Sequence, residues 1–234
     1  MSDPAGPPGL FDLSGGLPHW AQAGEEFELA LSLGGKYAGT QRWSIHPERG
    51  AVVTRVDTEF GGVLPHLRMQ QTSRLHPRTL AQLGYTEGEG GRTGYDLSLD
   101  YRSGLVRLRQ RGEEAELPLL QDHLDPVSVL LWVREWQVPV GTQRIVRLAG
   151  NGIHVQRLPD GPVTDSPEAA DSQVFVLRPG GAGVWRSATQ PHTFLRLTQP
   201  TPFGMIDALP GGSWSERPGV RGDSAKPRER RRVG

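Results

Sequence analysis

The stretch FELALSLGGKYAGTQRWSI, residues 27–45, decides the fold of this chain. Its first seven residues alternate, and the large apolar side chains share one face: Phe27, Leu29, Leu31 and Leu33. A period of two is typical of a strand with one buried face. Gly-Gly-Lys at 34–36 follows as a turn, and residues 37–45 return as the second strand of a hairpin. The stretch therefore predicts an antiparallel sheet.

The same alternation recurs along most of the 234 residues, at a spacing that indicates ten to twelve strands and one helix. The dipeptide Asn151-Gly152 lies between two such runs and predicts a hairpin turn there. Because so many strands rarely form a flat open sheet, we expect a mainly β fold. The prediction is a single curved antiparallel sheet, a half-barrel or barrel, with one buried helix near 126–136 and disordered termini.

Three segments follow from this pattern. Residues 1–24 are rich in Gly and Pro and predict a flexible N-terminal segment, and residues 25–210 form the β-barrel-like domain. Residues 211–234 contain seven basic and three acidic residues and few apolar ones, which predicts a disordered basic tail.

Charge and composition exclude several classes of function. The 26 basic residues balance the 26 acidic ones, so the chain as a whole carries no net charge that would attract nucleic acid or anionic membranes. The chain contains no cysteine, which excludes disulfides, thiolate metal sites and cysteine nucleophiles. We expect no cofactor. The first twenty residues do not resemble a signal peptide, so we expect a cytoplasmic protein, or an envelope protein if translation starts further upstream.

The predicted helix begins in LQDHLDPVSVLLWVREW, residues 120–136. Asp125 followed by Pro126 is a typical helix start, and we assign Asp125 and Ser128 to a structural helix cap. The apolar residues after Pro126 surround the helix on nearly all sides, so it must be buried. The concave face of the sheet is the obvious place for it, with Trp132 and Trp136 as core anchors.

Two polar features of this stretch allow alternative interpretations. Asp122, His123 and Asp125 could bind a metal or act in acid–base catalysis, but no histidine spacing supplies further ligands, and we favour helix capping and local hydrogen bonds. Arg134 lies on an otherwise apolar helix and needs a partner. A salt bridge with a sheet carboxylate is the simpler interpretation, and an anchor for an anionic head group is the alternative.

The order of these landmarks resembles the bacterial domain-of-unknown-function family 3108. The resemblance is carried by LSLGGKYAGTQRWSI, by LHPRTLAQLGY at 75–85, by GYDLSLDYRSGLVRL and, above all, by LQDHLDPVSVLLWVREWQVPVG at 120–141. Asp125, Ser128 and Arg134 are the positions that carry the last motif. The resemblance implies a curved half-barrel similar to lipoprotein-carrier folds, typically in envelope proteins, with no established catalytic residues.

We therefore expect a non-enzymatic binding protein that holds an apolar or amphiphilic ligand, such as a lipid, on its concave face. Trp132, Arg134 and Trp136 are the candidate ligand-binding residues. The alternative is a scaffold whose C-terminal tail contacts nucleic acid or an acidic partner through four arginines: Arg228, Arg230, Arg231 and Arg232. No catalytic residue and no metal ligand is assigned.

Overall fold

The computed structural model describes residues 9–119, 123–148, 151–163 and 171–211. A short helix, α1 (His19–Ala23), precedes the first eight strands. These strands are β1 (Glu25–Leu33), β2 (Lys36–Glu48), β3 (Ala51–Phe60), β4 (Leu67–Leu75), β5 (Gln82–Glu89), β6 (Arg92–Asp100), β7 (Leu105–Gln110) and β8 (Glu113–Pro118).

The second half of the chain begins with a two-residue strand and the longer helix. These are β9 (His123–Leu124) and α2 (Ser128–Glu135). Six strands follow: β10 (Gln143–Leu148), β11 (Asn151–Pro162), β12 (Asp171–Arg178), β13 (Ala182–Arg186), β14 (Phe194–Thr201) and β15 (Gly204–Pro210). Neither helix of the described residues is long and apolar enough to cross a membrane.

All fifteen strands belong to one sheet, in the order β8-β7-β6-β5-β4-β3-β2-β1-β15-β14-β13-β12-β11-β10-β9. The chain thus forms two meanders, which are joined by antiparallel pairing of β1 with β15. Every pair is antiparallel except β9 with β10, which is parallel. The prediction of a mainly β fold with a single curved, mostly antiparallel sheet is confirmed.

The curvature of the sheet follows from its connectivity. Strands β8 and β9 are its two opposite edges, yet only residues 119–122 separate them in the chain. Five extended steps span at most about 18 Å, so the sheet must curve until these edges approach within that distance. The edges do not pair with each other within the described residues, so the sheet is an open, strongly curved half-barrel.

The β1–β2 hairpin shows how the sequence specifies the sheet locally. Gly34 and Gly35 connect the strands with φ values of 56° and 77°, which only glycine adopts at little cost and which match the twist of a two-residue hairpin. Leu29 and Leu31 of β1 are buried, as the alternation predicts. The inward faces of both meanders join in one apolar core.

Helix α2 lies inside this curve. All of its residues from Ser128 to Arg134 are buried, and its apolar side chains belong to the common core. Its N-terminal end contacts β4 through Asp125 and Ser73, and its C-terminal end contacts β1 and β13. The predicted buried helix is confirmed, with observed bounds Ser128–Glu135.

Three of the observed strands, β5, β8 and β9, were not predicted from the sequence, and each lacks the alternation that marks a strand. Strand β5 contains Gly84 and Gly88, which carry no side chain to mark a face. All six residues of β8 are exposed, so this edge strand has no buried face to produce alternation. Strand β9 has two residues, too few to show any period.

The predicted turn at Asn151-Gly152 is wrong. Leu148 pairs with Asn151, so both residues of the dipeptide belong to β11 and the connection is made by residues 149–150, which lie outside the described residues. The observed register pairs Val146 with Ile153, whereas a turn at Asn151-Gly152 would pair it with a residue four positions later. The two registers place the same side chains inward, so apolar alternation does not distinguish them.

Residues 9–24 contribute to the core, although their Gly- and Pro-rich sequence predicts a flexible segment. Phe11 and Trp20 are buried and their rings meet edge to face at 6.0 Å between centroids. Trp20 Nε1 donates a hydrogen bond of 2.9 Å to Glu135 Oε1, which ties α1 to the end of α2.

Candidate functional site

The N-terminal end of α2 is organised around the buried carboxylate of Asp125. Its Oδ1 accepts hydrogen bonds from the backbone N–H groups of Val127 and Ser128, at 2.8 and 2.7 Å. Its Oδ2 accepts one from Ser73 Oγ at 2.6 Å, and its own N–H donates to Ser128 Oγ at 2.8 Å. This reciprocal arrangement resembles a capping box, with a serine in place of the usual glutamate or glutamine.

Asp125 is 1% exposed, and burial raises its pKa to about 6. The hydrogen bonds from Ser73, Val127 and Ser128 act in the opposite direction, because they stabilise the charged form. The desolvation of the carboxylate is the larger effect. The helix cap is therefore also a titratable group near neutral pH.

The C-terminal end of α2 is capped by an arginine from β13. Arg186 is 1% exposed, and its guanidinium donates to three carbonyl oxygens. Nη1 donates to Val133 at 3.1 Å and to Arg134, and Nη2 donates to Trp136 at 3.0 Å. Nε and Nη2 also donate to Gln173 Oε1, at 2.9 and 2.7 Å. The Val133 carbonyl also accepts a hydrogen bond from the Trp136 N–H. A cation at this position adds a donor to the carbonyls of the last helical turn and complements the helix dipole.

Arg134 points to the sheet. Its guanidinium forms a two-pronged pair with Glu25 of β1, at 2.8 Å from Nη1 to Oε2 and 3.2 Å from Nη2 to Oε1. Nε donates to the carbonyl of His192, and the group lies 5.5 Å from the ring centre of Phe194. The geometry corresponds to the simpler of the two interpretations, the salt bridge with a sheet carboxylate.

Trp132 and Trp136 form one wall of a pocket of about 560 Å³ between α2 and the N-terminal segment. Their rings stack at 4.6 Å between centroids, with an angle of 28°. The pocket is also lined by residues 10–12 and 14–19, by Glu135 at the helix end and by Arg144 of β10. The guanidinium of Arg144 lies 5.7 Å from the centre of the Trp132 ring. We call this space the tryptophan pocket.

His123 is buried on β9, beside Arg147 of β10. Burial and the neighbouring Arg147 charge lower its pKa, and its Nδ1 has no hydrogen-bond partner within the described residues. Asp122, its neighbour in the candidate cluster, lies outside the described residues. In the part of the chain that the structure describes, no group of three His, Asp or Glu side chains is arranged to hold a metal.

Replacement of His123 by alanine is expected to lower the free energy of unfolding by about 1 kcal/mol or less, because the lost packing is partly offset by removal of an unsatisfied buried nitrogen. Urea unfolding measures this, with the exposed His46→Ala as control. Metal analysis of the purified proteins provides the second readout. A stoichiometric metal in the wild type that the His123→Ala variant lacks would contradict the structural role.

Several residues that organise the site were missed in the sequence. Arg186 and Arg157 are buried, and each follows a buried valine by two positions, Val184 and Val155 respectively. Strand alternation could have marked both arginines as inward-facing. Ser73 and Asp125 are 52 positions apart in the chain, so no local sequence pattern could predict their hydrogen bond. The four arginines assigned to the tail, Arg228, Arg230, Arg231 and Arg232, lie outside the described residues.

Comparisons of this chain with protein-family models, with curated proteins and with solved structures find no match.

Proposed function

We propose that this protein binds a small amphiphilic molecule in the tryptophan pocket and has no catalytic role. The observation that carries the proposal is the stacked Trp132–Trp136 pair, which forms a wall of a pocket of about 560 Å³. Ligand sites of small molecules are clefts of roughly 300–1,000 Å³ lined by aromatic side chains and a few polar groups. The tryptophan pocket has both the size and the mixed lining.

The polar groups at this pocket suggest how an amphiphile would be oriented. Arg144 stands beside the Trp132 ring, so an anionic or polar head group would contact its guanidinium while the apolar part covers the indoles. Arg144 lines the pocket and Arg134 does not, so Arg144 takes the role for which Arg134 was the sequence-based candidate. The resemblance to family 3108 stays a hypothesis, and the proposal does not depend on it.

The probe 1-anilinonaphthalene-8-sulfonate, an anionic amphiphile, tests the proposal by fluorescence titration. We expect saturable binding to the folded wild type and an affinity weaker by at least about tenfold in Trp136→Ala, because a half-buried indole supplies more than 1.4 kcal/mol of contact. Trp185→Ala is the matched control, since Trp185 is also half-buried but does not line the pocket.

Circular dichroism of both variants must show the wild-type fold, because this probe also binds loosely packed states. Equal affinity of Trp136→Ala and Trp185→Ala would contradict the proposed site. Failure of the folded wild type to bind the probe would contradict the proposed class of ligand.

A further inference from the structure

A second cleft lies at the opposite end of α2 from the tryptophan pocket. It has a volume of about 250 Å³ and is formed by β5, β6, the end of β10 and the residues just before the helix. Tyr85, Tyr95, Leu97, Pro126 and Leu148 supply most of its surface. Two carboxylates, those of Glu87 and Asp125, complete the lining. We call this space the tyrosine cleft.

The charged side chains that line the tyrosine cleft are both acidic. No arginine, lysine or histidine is among the described residues that line it. The oxygens of Asp125 already accept hydrogen bonds from Ser73, Val127 and Ser128, so this carboxylate acts on a ligand mainly through its charge. A ligand that enters the cleft meets a negative field inside an apolar wall, where such a field is weakly screened.

Glu87 and Tyr95 supply the acceptors for a ligand. Glu87 Oε2 accepts hydrogen bonds from Tyr85 Oη at 2.5 Å and from Gln71 Nε2 at 3.1 Å. The other carboxylate oxygen, Oε1, can therefore accept from a ligand. The hydroxyl oxygen of Tyr95 is buried and has no hydrogen-bond partner within the described residues. The two tyrosine rings meet edge to face at 5.9 Å. Buried polar atoms normally have hydrogen-bond partners, so we expect the Tyr95 hydroxyl to bond to a bound molecule.

We propose that the tyrosine cleft binds the ammonium group of a small primary amine. The ammonium would donate to Glu87 Oε1 and to the Tyr95 hydroxyl, and its short alkyl chain would pack against Leu97 and Leu148. Aromatic rings attract cations, which adds to the field of the two carboxylates. A bare metal ion fits less well, because the cleft walls are apolar and the described residues hold no group of three metal ligands.

Calorimetric titration near neutral pH with n-butylammonium chloride tests this site, with n-butanol as the neutral probe of equal length. We expect saturable binding of the ammonium and none of the alcohol. Glu87→Gln should lower the affinity for n-butylammonium by at least about tenfold. The loss of a charge-assisted hydrogen bond in a partly buried site removes about 1.4 kcal/mol or more of binding free energy. Glu89→Gln is the matched control, since Glu89 is exposed on the same strand and does not line the cleft.

Tyr95→Phe keeps the ring and removes only the hydroxyl, and we expect a loss of affinity of about threefold or more. The proposal requires a loss with both Glu87→Gln and Tyr95→Phe. An unchanged affinity in either variant, equal binding of n-butanol, or no heat of binding in the folded wild type would each overturn it. This outcome is separate from the test of the tryptophan pocket, which uses a different probe and different variants.

Discussion

Replacement of Arg186 by methionine is expected to lower the free energy of unfolding by about 4 kcal/mol, because several buried and half-buried acceptors would lose a charged donor at once. The guanidinium serves three carbonyl oxygens at the end of α2 and the side chain of Gln173. Burial lowers the Arg186 pKa to about 10, so the group is still charged at neutral pH. Methionine has a similar length but no hydrogen-bond donor.

Urea unfolding followed by tryptophan fluorescence measures this change. Arg196→Met is the control, because Arg196 lies on the adjacent strand, is about one-quarter exposed and pairs with Asp207. An ion pair of that exposure contributes about 1 kcal/mol or less. A loss in Arg186→Met no larger than in Arg196→Met would show that the arginine cap does not hold the helix end.

The second large effect concerns the pH dependence that Asp125 imposes on stability. Its folded pKa of about 6 lies above the ordinary value of 3.8, so the folded state binds the proton more tightly than the unfolded state. The resulting stabilisation is complete below pH 3.8 and is lost as the pH rises through about 6. The difference corresponds to roughly 3 kcal/mol.

Asp125→Asn removes this titration and keeps an oxygen that can accept from Val127 and Ser128. Relative to the wild type, the variant should therefore gain roughly 3 kcal/mol in unfolding free energy between about pH 4 and about pH 8. The neighbouring Tyr85 and Tyr95 do not titrate in this range, because burial raises the pKa of both. Asp57→Asn is the control, since Asp57 is exposed on β3 and its replacement removes no buried charge. A difference between wild type and Asp125→Asn that is independent of pH would contradict the account.

The sheet could be predicted because the alternation and turn residues that specify each hairpin are close together in the sequence. Leu29 and Leu31 alternate with smaller or polar neighbours, and the two glycines that follow the strand readily adopt the positive φ values of a tight turn. Strand β8 lacks this information because both of its faces are exposed. Where the pattern is consistent with two registers, as at Asn151-Gly152, periodicity alone could not decide between them.

The candidate sites were harder to predict, because they join residues that are distant in the chain. The composition of α2 indicated burial, and Trp132 and Trp136, for which ligand binding stays a prediction, line a pocket. The opposite wall comes from residues 10–19, whose weak pattern gave no sign of this packing. Arg134 and Arg144 are both arginines, and only the three-dimensional arrangement shows that Glu25 engages the first while the second faces the pocket.

In the proposed function, the folded protein carries a small amphiphile against the Trp132–Trp136 pair. Native mass spectrometry of the protein from its own host, compared with Trp136→Ala purified in parallel, tests it most directly. We expect an added mass on the wild type that denaturation releases as one amphiphilic compound and that Trp136→Ala largely lacks. A folded wild type with only the mass of the bare chain, or an equal added mass on both proteins, would contradict it.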